Sequence, residues 1–220
     1  MASAAEREIR EALAGWLGRE LPRARVIHEL KCGGRRADLA AVEREQIWLF
    51  EIKSERDTLD RLGDQVKAFS SASHYTIVVA HERWFDREPY ANGTPRLSWP
   101  HRTAGPHGTW CYPDPSADIS PYGLYRWRLP ARTMRQPHAL RLLELLWRAE
   151  LQWECERHGI PFRSRDTAPM LMERMAWRMT GEQIARAVCR QLRARWFPEA
   201  DPPVVPVVPK QIETSHTAVE

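Results

Sequence analysis

The sequence of 220 residues has few cysteines, few lysines and no long apolar run. The four cysteines lie far apart, without a CxxC pair or a histidine at zinc-finger spacing, which argues against a structural zinc and a disulfide framework. No stretch of about 18 apolar residues occurs, and the charged N-terminus lacks the apolar core of a secretory signal, so we expect a cytoplasmic protein without a membrane span. Neither GxGxxG nor GxxxxGK(S/T) is present, which argues against a nucleotide-driven enzyme.

Arginine carries almost all of the positive charge, because only four of the 33 basic residues are lysine. Guanidinium groups bind phosphate in a bidentate manner. The 29 acidic residues leave a net charge of +4, and the excess lies in residues 81–198. Arg186, Arg190 and Arg193 share one face of a predicted helix and form a hypothetical phosphate-binding face. The alternative is a solvated face on which Glu182 pairs with Arg186.

Hydrophobic periodicity and turn residues predict the order α-β-β-β-α-β through residue 80. The predicted helices are 5–17 and 58–70, and the predicted strands are 24–31, 36–42, 47–53 and 74–80. Asp57 is expected to cap the second helix. The third strand is apolar on both faces until its end, as is typical of a central strand. The expected fold class is therefore α/β with a mixed central sheet.

The rest of the chain is predicted to surround this core. The predicted division is a core at 1–82, a loop-rich insertion at 83–137, a C-terminal helical region at 138–198 and a Pro-rich tail at 199–220 that is extended or disordered. The insertion is expected to hold one strand at 124–129. The C-terminal helices are predicted at 138–159, 168–179 and 181–196. The first of them could bury its apolar stripe on the core or in a homodimer.

A set of charged residues lies on two neighbouring predicted strands. Asp38 is in the second strand, and Glu51 and Lys53 end the third. Residues i and i+2 of a strand face the same side, so Glu51 and Lys53 lie side by side and Asp38 can reach them. Two such carboxylates repel each other unless a divalent cation lies between them, and hard oxygen ligands favour Mg²⁺ or Mn²⁺. Such a cation could activate a water molecule to attack a phosphodiester, and Lys53 could stabilise the position of that water.

The (D/E)xK tripeptide is a weak signal by itself. A second copy, Glu29-Leu30-Lys31, has no earlier strand that could supply a second carboxylate. The copy at Glu51 and Lys53 ends an apolar strand, where charged residues are rare unless they are paired or functional. The structural alternative is an ordinary ion pair at a strand end.

The segments RADLAAV and IWLFEIKS, in this order of elements, resemble the PD-(D/E)xK superfamily of nucleases. More closely, EREIREAL, ELKCGGRRADLAAV, EIKSERDTLDRLGDQVKAF and YTIVVA resemble a group of largely uncharacterised bacterial and prophage proteins in that superfamily. The resemblance implies that Asp38 and Glu51 bind the metal and that Lys53 is the catalytic lysine. Ala37 stands where the family usually has proline, a position that is often replaced.

The resemblance also implies a restriction-endonuclease-like core and an Mg²⁺-dependent (or Mn²⁺-dependent) nuclease that hydrolyses DNA. It implies supporting roles in the active site for Gln65 and Glu8. The alternative for Gln65 is an ordinary solvated residue on the helix surface. Glu6 or Glu29 could take the role of Glu8. The functional alternatives are an RNA-directed nuclease and a non-catalytic module that binds nucleic acid or a protein. We expect nucleic acid as the partner, DNA before RNA, and no membrane.

Overall fold

The computed structural model describes residues 3–115, 125–131 and 136–204. Five strands form one sheet in the order β1-β2-β3-β4-β5. The strands are β1 Arg25–Cys32, β2 Arg35–Val42, β3 Ile47–Lys53, β4 Tyr75–His81 and β5 Thr109–Tyr112. The helices are α1 Ala4–Glu20, α2 Leu62–Ala72, α3 Ala139–Leu143, α4 Arg148–Arg157, α5 Ala168–Arg178, α6 Gly181–Ala194 and a 3-10 turn at Glu82–Trp84.

The sheet is mixed, which confirms the predicted α/β class. Strands β1, β2 and β3 are antiparallel neighbours, while β4 runs parallel to β3 and β5 runs parallel to β4. Every residue of the central strand β3 is buried. Leu49 belongs to the core that packs under α2 to α6, and Phe50 belongs to the core under α1. Because side chains alternate along a strand, Glu51 and Lys53 lie on the same face as Leu49.

Helix α1 covers the opposite face of the sheet. Ser3 caps its N-terminus by accepting a 3.1 Å hydrogen bond from the backbone N–H of Glu6. Ile9 and Leu13 are buried at helical spacing against the sheet. Glu6 and Arg10 lie one turn apart near the start of the helix, which brings both to the end of the sheet where Asp38 lies.

Helix α2 begins at Leu62, four residues later than predicted. The carboxylate of Asp57 does not cap it. Instead, Oδ2 of Asp57 accepts hydrogen bonds from the backbone N–H of Ser54 at 2.6 Å and from its hydroxyl at 2.7 Å. Asp57 therefore stabilises the loop that follows β3. Because this loop extends past Asp57, the helix begins later in the sequence.

The single helix predicted over 138–159 is two helices, α3 and α4. The carboxylate of Glu150 caps α4 by accepting the N–H of Trp147 at 2.7 Å. It also forms a buried ion pair with Arg195, whose Nη2 donates to the carbonyl of Leu145 at 2.8 Å. The side chains of Glu150 and Arg195 therefore form hydrogen bonds with the N–H of Trp147 and the carbonyl of Leu145, which would bond within the helix if it were continuous. The apolar stripe of this region packs on the sheet, which is the first of the two predicted arrangements.

The strand predicted at 124–129 is wrong: its described part, from residue 125 onward, forms a turn and an irregular segment. Among the described residues of this region the strand is β5, whose residue Trp110 is buried with its ring centroid 4.8 Å from that of Trp16. Because β5 extends the sheet, part of the predicted insertion belongs to the core. The contact between Trp16 and Trp110 joins distant parts of the chain, so the local sequence pattern does not reveal it.

The first residues of the predicted tail are bonded to the edge strand β1. Ala200 forms an antiparallel bridge with Ile27. The guanidinium of Arg25 donates to the carbonyl of Asp201 at 2.9 and 2.7 Å. This part of the tail is extended and attached to the sheet, and the prediction for 205–220 lies outside the described residues. None of the helices in the described ranges has the length and apolarity needed to cross a lipid bilayer.

Candidate functional site

The structure brings Asp38, Glu51 and Lys53 together at one end of the sheet. The last paired residues of β2 and β3 are Leu39 and Phe50, so the next position in register places Asp38 beside Glu51. Glu51 and Lys53 follow each other on one face of β3, and both are buried. The predicted adjacency of the three side chains therefore exists in the fold.

Glu51 is held through one of its two carboxylate oxygens. Its Oε1 lies 2.8 Å from Nζ of Lys53 and accepts a 2.5 Å hydrogen bond from Nε2 of Gln65. Nζ of Lys53 also donates to Oε1 of Gln65 at 3.1 Å, which closes a ring of three side chains. Oε2 of Glu51 is buried and has no hydrogen-bond partner in the part of the chain that the structure describes. Such an acceptor is costly unless something else binds it.

Asp38 is bonded to two different elements. Its Oδ2 accepts the backbone N–H of Ile52 at 2.7 Å, and its Oδ1 lies 3.6 Å from Nη2 of Arg10. Burial raises the pKa of Asp38 well above its usual range, and the negative charge of Glu51 raises it further. Burial also raises the pKa of Glu51, against the opposing effect of Lys53. The charge of Glu51 thus disfavours the charge of Asp38, whereas Lys53 favours the charged form of Glu51.

Arg10 forms ion pairs within a second acidic cluster, which lies beside Asp38 and Glu51. Carboxylate oxygens of Glu6, Glu29 and Asp38 lie within 4.8 Å of one another. Nη2 of Arg10 lies 2.5 Å from Glu6 and 2.7 Å from Glu29. The guanidinium therefore supplies the positive charge of this cluster, which leaves the Asp38 and Glu51 side as the better place for a metal ion.

Glu29 has the left-handed backbone conformation that favours glycine, with φ of 59°. It lies in register opposite Asp38, at the one position between Arg25 and Cys32 where β1 and β2 do not pair. A left-handed residue other than glycine costs about 1–2 kcal/mol. The ion pairs of Glu29 with Arg10 and Arg36 offset this cost. Strain of this kind is often found at functional sites.

The predicted supporting residues divide into two groups. Gln65 joins the site through Glu51 and Lys53. Glu8 accepts a 2.7 Å hydrogen bond from the hydroxyl of Tyr112, and burial followed by this bond raises the pKa of Tyr112 to about 12. Of the carboxylates on α1, it is Glu6 that belongs to the acidic cluster at Asp38. Sequence reasoning missed Arg10, whose only signal is a charge within the apolar stripe of α1, one turn after Glu6.

The same end of the sheet carries basic side chains on its surface. The β1-β2 turn lies against α2, because a Cβ added at Gly33 would be 3.2 Å from the Cβ of Ala68. Arg35 pairs with Asp64 of α2 at 2.9 Å. The exposed basic residues of the β1-β2 turn and of the loop from β3 to α2 are Lys31, Arg35, Arg36, Arg56 and Arg61. A phosphate ligand approaching the buried carboxylates would meet these groups first.

The three arginines of α6 are engaged within the fold. Arg186 lies 2.6 Å from Glu182, which confirms the alternative pairing. Nε of Arg190 donates to Glu154 at 3.0 Å, and Arg193 is buried. This helix face therefore does not offer three free guanidinium groups to a phosphate backbone.

Residues 1–87 match the profile of a family described as "Bacteriophage P4 protein cII". A curated relative, "Protein cII" of Enterobacteria phage P4, is 42% identical over an alignment of 80 residues that covers 34% of this chain and 30% of the phage protein. The chain thus matches less than a third of the length of that relative. The profile match contains every residue of the site around Asp38. No solved structure matches the chain significantly.

These matches correct the prediction of a PD-(D/E)xK nuclease. The family profile and the phage relative both point to protein cII and not to that superfamily, so the predicted membership is wrong. The nuclease, hydrolase and enzyme predictions depended on that membership and are overturned with it. The contacts of Asp38, Glu51 and Lys53 do not depend on the family name, and they need a different functional interpretation.

Proposed function

We propose that the protein binds nucleic acid, and that Asp38 and Glu51 hold one divalent cation, Mg²⁺ or Mn²⁺, that bridges the protein to a backbone phosphate. The observation that carries the proposal is the buried Oε2 of Glu51, which has no hydrogen-bond partner among the described residues and lies on a strand next to Asp38. A bound cation would neutralise the two carboxylates and supply an electrostatic anchor for a phosphate oxygen.

The other residues of the site suit a binding role. Lys53 has three N–H donors and uses two of them on Glu51 and Gln65, so one donor is available to a phosphate. Arg10 pairs with Glu6 and Glu29, and Arg36 also pairs with Glu29, so two positive charges offset these two carboxylates and lower the repulsion that a phosphate would meet. The exposed basic residues of the β1-β2 turn add the salt-dependent attraction that is typical of nucleic-acid binding.

The sign of one mutational effect separates this proposal from simple charge attraction. If no cation is involved, Asp38→Asn removes a negative charge and strengthens binding of a polyanion. If Asp38 holds a cation that contacts the phosphate, the same change weakens binding. Glu51→Gln is expected to act in the same direction. Glu144→Gln, an exposed position paired with Arg141 on α3, is the matched control.

The experiment is fluorescence anisotropy with labelled single-stranded DNA, double-stranded DNA and RNA, in Mg²⁺ or in EDTA at constant ionic strength. We expect EDTA to weaken binding of the wild-type protein about tenfold or more, to the level of Asp38→Asn, with Glu144→Gln unchanged. Equal affinity in Mg²⁺ and EDTA, or tighter binding by Asp38→Asn, would overturn the proposal. The panel also tests the preference for DNA over RNA.

Three more specific predictions from the sequence remain predictions alongside the proposed cation site. They are the restriction-endonuclease-like arrangement of the sheet, the cytoplasmic location and a homodimer. The cation site lies within residues 6–65 of one chain and needs none of the three.

A further inference from the structure

A cleft lies between the loop after α4 and the first turns of α5, far along the chain from the Asp38 site. Its volume is about 480 Å³. This is within the range of sites that bind small molecules, about 300–1,000 Å³. The lining residues are Pro161, Phe162, Arg163, Arg165, Asp166, Met170 and Arg174.

The charge of the cleft is positive and uneven. The one carboxylate, that of Asp166, is buried, lies 3.2 Å from Nη2 of Arg174 and accepts the backbone N–H of Arg163 at 2.9 Å. Asp166 and Arg174 therefore neutralise each other. The exposed side chains of Arg163 and Arg165 form no ion pair with any described residue. Two guanidinium groups are thus available on one loop, and such groups bind phosphate in a bidentate manner.

The loop is held in place by bonds inside the protein. Arg148 donates through Nε to the carbonyl of Asp166 at 2.9 Å and through Nη2 to the carbonyl of Ser164. Nη1 of Arg174 donates to the carbonyl of Pro161 at 3.0 Å. Because the backbone is fixed before any ligand arrives, binding would cost little ordering of the loop.

An apolar wall stands beside the two free guanidinium groups. Phe162 packs partly against the core, and Met170 leaves 43% of its surface exposed at the start of α5. Aromatic rings and thioethers pack well on planar heterocycles. A ligand with a phosphate at one end and a planar apolar group at the other would satisfy both parts of the cleft, whereas a sugar phosphate or inorganic phosphate would use only one.

We propose that this cleft binds a nucleotide, with its phosphate on Arg163 and Arg165 and its base against Phe162 and Met170. The nucleotide is either free or part of a single strand, since the recognised chemistry is the same. The inference does not require the cation site at Asp38.

Isothermal titration with AMP, ATP, adenosine, inorganic phosphate and a short single-stranded oligonucleotide tests the cleft in the full chain. We expect AMP, ATP or the oligonucleotide to bind at least tenfold more tightly than adenosine or inorganic phosphate. Arg163→Gln/Arg165→Gln should weaken that binding about tenfold or more. Met170→Gln should weaken the binding of AMP without changing the binding of inorganic phosphate. In the Asp38→Asn background, tighter binding of AMP than of the oligonucleotide identifies the free nucleotide as the ligand of the cleft, and the reverse identifies the single strand.

Two controls make the result interpretable. Arg178→Gln removes an exposed arginine from the other end of α5 and should leave nucleotide binding unchanged. Asp38→Asn should also leave AMP binding unchanged, and the oligonucleotide is titrated into Asp38→Asn so that the cation site does not contribute to its binding. Failure of the cation site and failure of the cleft are then distinguishable. The inference is overturned if no nucleotide or oligonucleotide binds, if inorganic phosphate binds as tightly as AMP, or if Arg163→Gln/Arg165→Gln binds like the wild-type protein with an equal melting temperature.

Discussion

Nε2 of Gln65 donates a 2.5 Å hydrogen bond to Oε1 of Glu51, while the other carboxylate oxygen of Glu51 is buried and has no partner within residues 3–115, 125–131 and 136–204. The amide of Gln65 also accepts from Lys53 at 3.1 Å, so it fixes the orientation of both charged groups. A carboxylate that is held by one oxygen and open at the other is suited to bind a cation through the open oxygen. The site therefore depends on α2 as much as on the two strands.

Gln65→Met tests this orienting role. The variant keeps the size of the side chain but loses both hydrogen bonds, so Glu51 and Lys53 are free to reorient. Loss of a group that orients a metal ligand typically costs 10–100-fold in metal affinity, and we expect a loss of about that size for Mn²⁺ in isothermal titration. An unchanged affinity, in a variant that melts like the wild-type protein without metal, would show that Gln65 does not position the ligand.

Two substitutions at Glu29 separate its backbone strain from its ion pairs. Both Glu29→Ala and Glu29→Gly remove the contacts with Arg10 and Arg36, but only glycine adopts the φ of 59° without strain. We expect Glu29→Gly to be more stable than Glu29→Ala by about 1 kcal/mol in urea unfolding. Equal stabilities, or a more stable alanine variant, would mean that the left-handed conformation costs nothing here.

The sequence allowed most of the sheet to be predicted, because strands β1 to β4 carry their pattern locally. The alternation of residues in β3 also placed Glu51 beside Lys53 correctly. Arg10 could not be placed in the same way, since its partners Glu29 and Asp38 come from two other elements. The family inference was wrong for a related reason: two carboxylates and a lysine on neighbouring strands can be assembled without the chemistry of a nuclease.

The break between α3 and α4 could not be predicted either, and it provides a further test. Arg195 is buried, pairs with Glu150 at 2.7 Å and bonds the carbonyl of Leu145 at 2.8 Å. Arg195→Met leaves the charge of Glu150 buried without its partner, which should destabilise the protein by about 3–5 kcal/mol. Urea unfolding measures the change, with Arg178→Met as the exposed control. A loss as small as that of the control would mean that the pair does not hold the break.

His74 predicts a pH dependence of stability. It is buried, its Nδ1 accepts the N–H of Ile47 at 3.1 Å, and burial lowers its pKa to about 4 in spite of a hydrogen bond with Gln136. The unfolded chain takes up a proton near pH 6.5, whereas the folded chain does so only near pH 4. Stability is therefore fully present above pH 6.5 and falls as the pH drops toward 4, by up to roughly 3 kcal/mol.

The check is urea unfolding of the wild-type protein and of His74→Asn between pH 7 and pH 4. Asparagine retains an acceptor for Ile47 but does not titrate, so the stability difference between the two proteins should shrink or reverse as the pH falls. Parallel curves would contradict the effect of burial on His74, because every other titrating group is common to both proteins.

The central claim is tested most directly by the binding of Mn²⁺ to the protein in the absence of nucleic acid. Isothermal titration and the melting temperature both measure this binding. We predict one bound ion for each wild-type chain and a melting temperature that rises with Mn²⁺ concentration. Asp38→Asn and Glu51→Gln should abolish both effects, and Glu144→Gln should retain them. No saturable binding to the wild-type protein, or equal binding by Asp38→Asn, would contradict the assignment of the cation to Asp38 and Glu51.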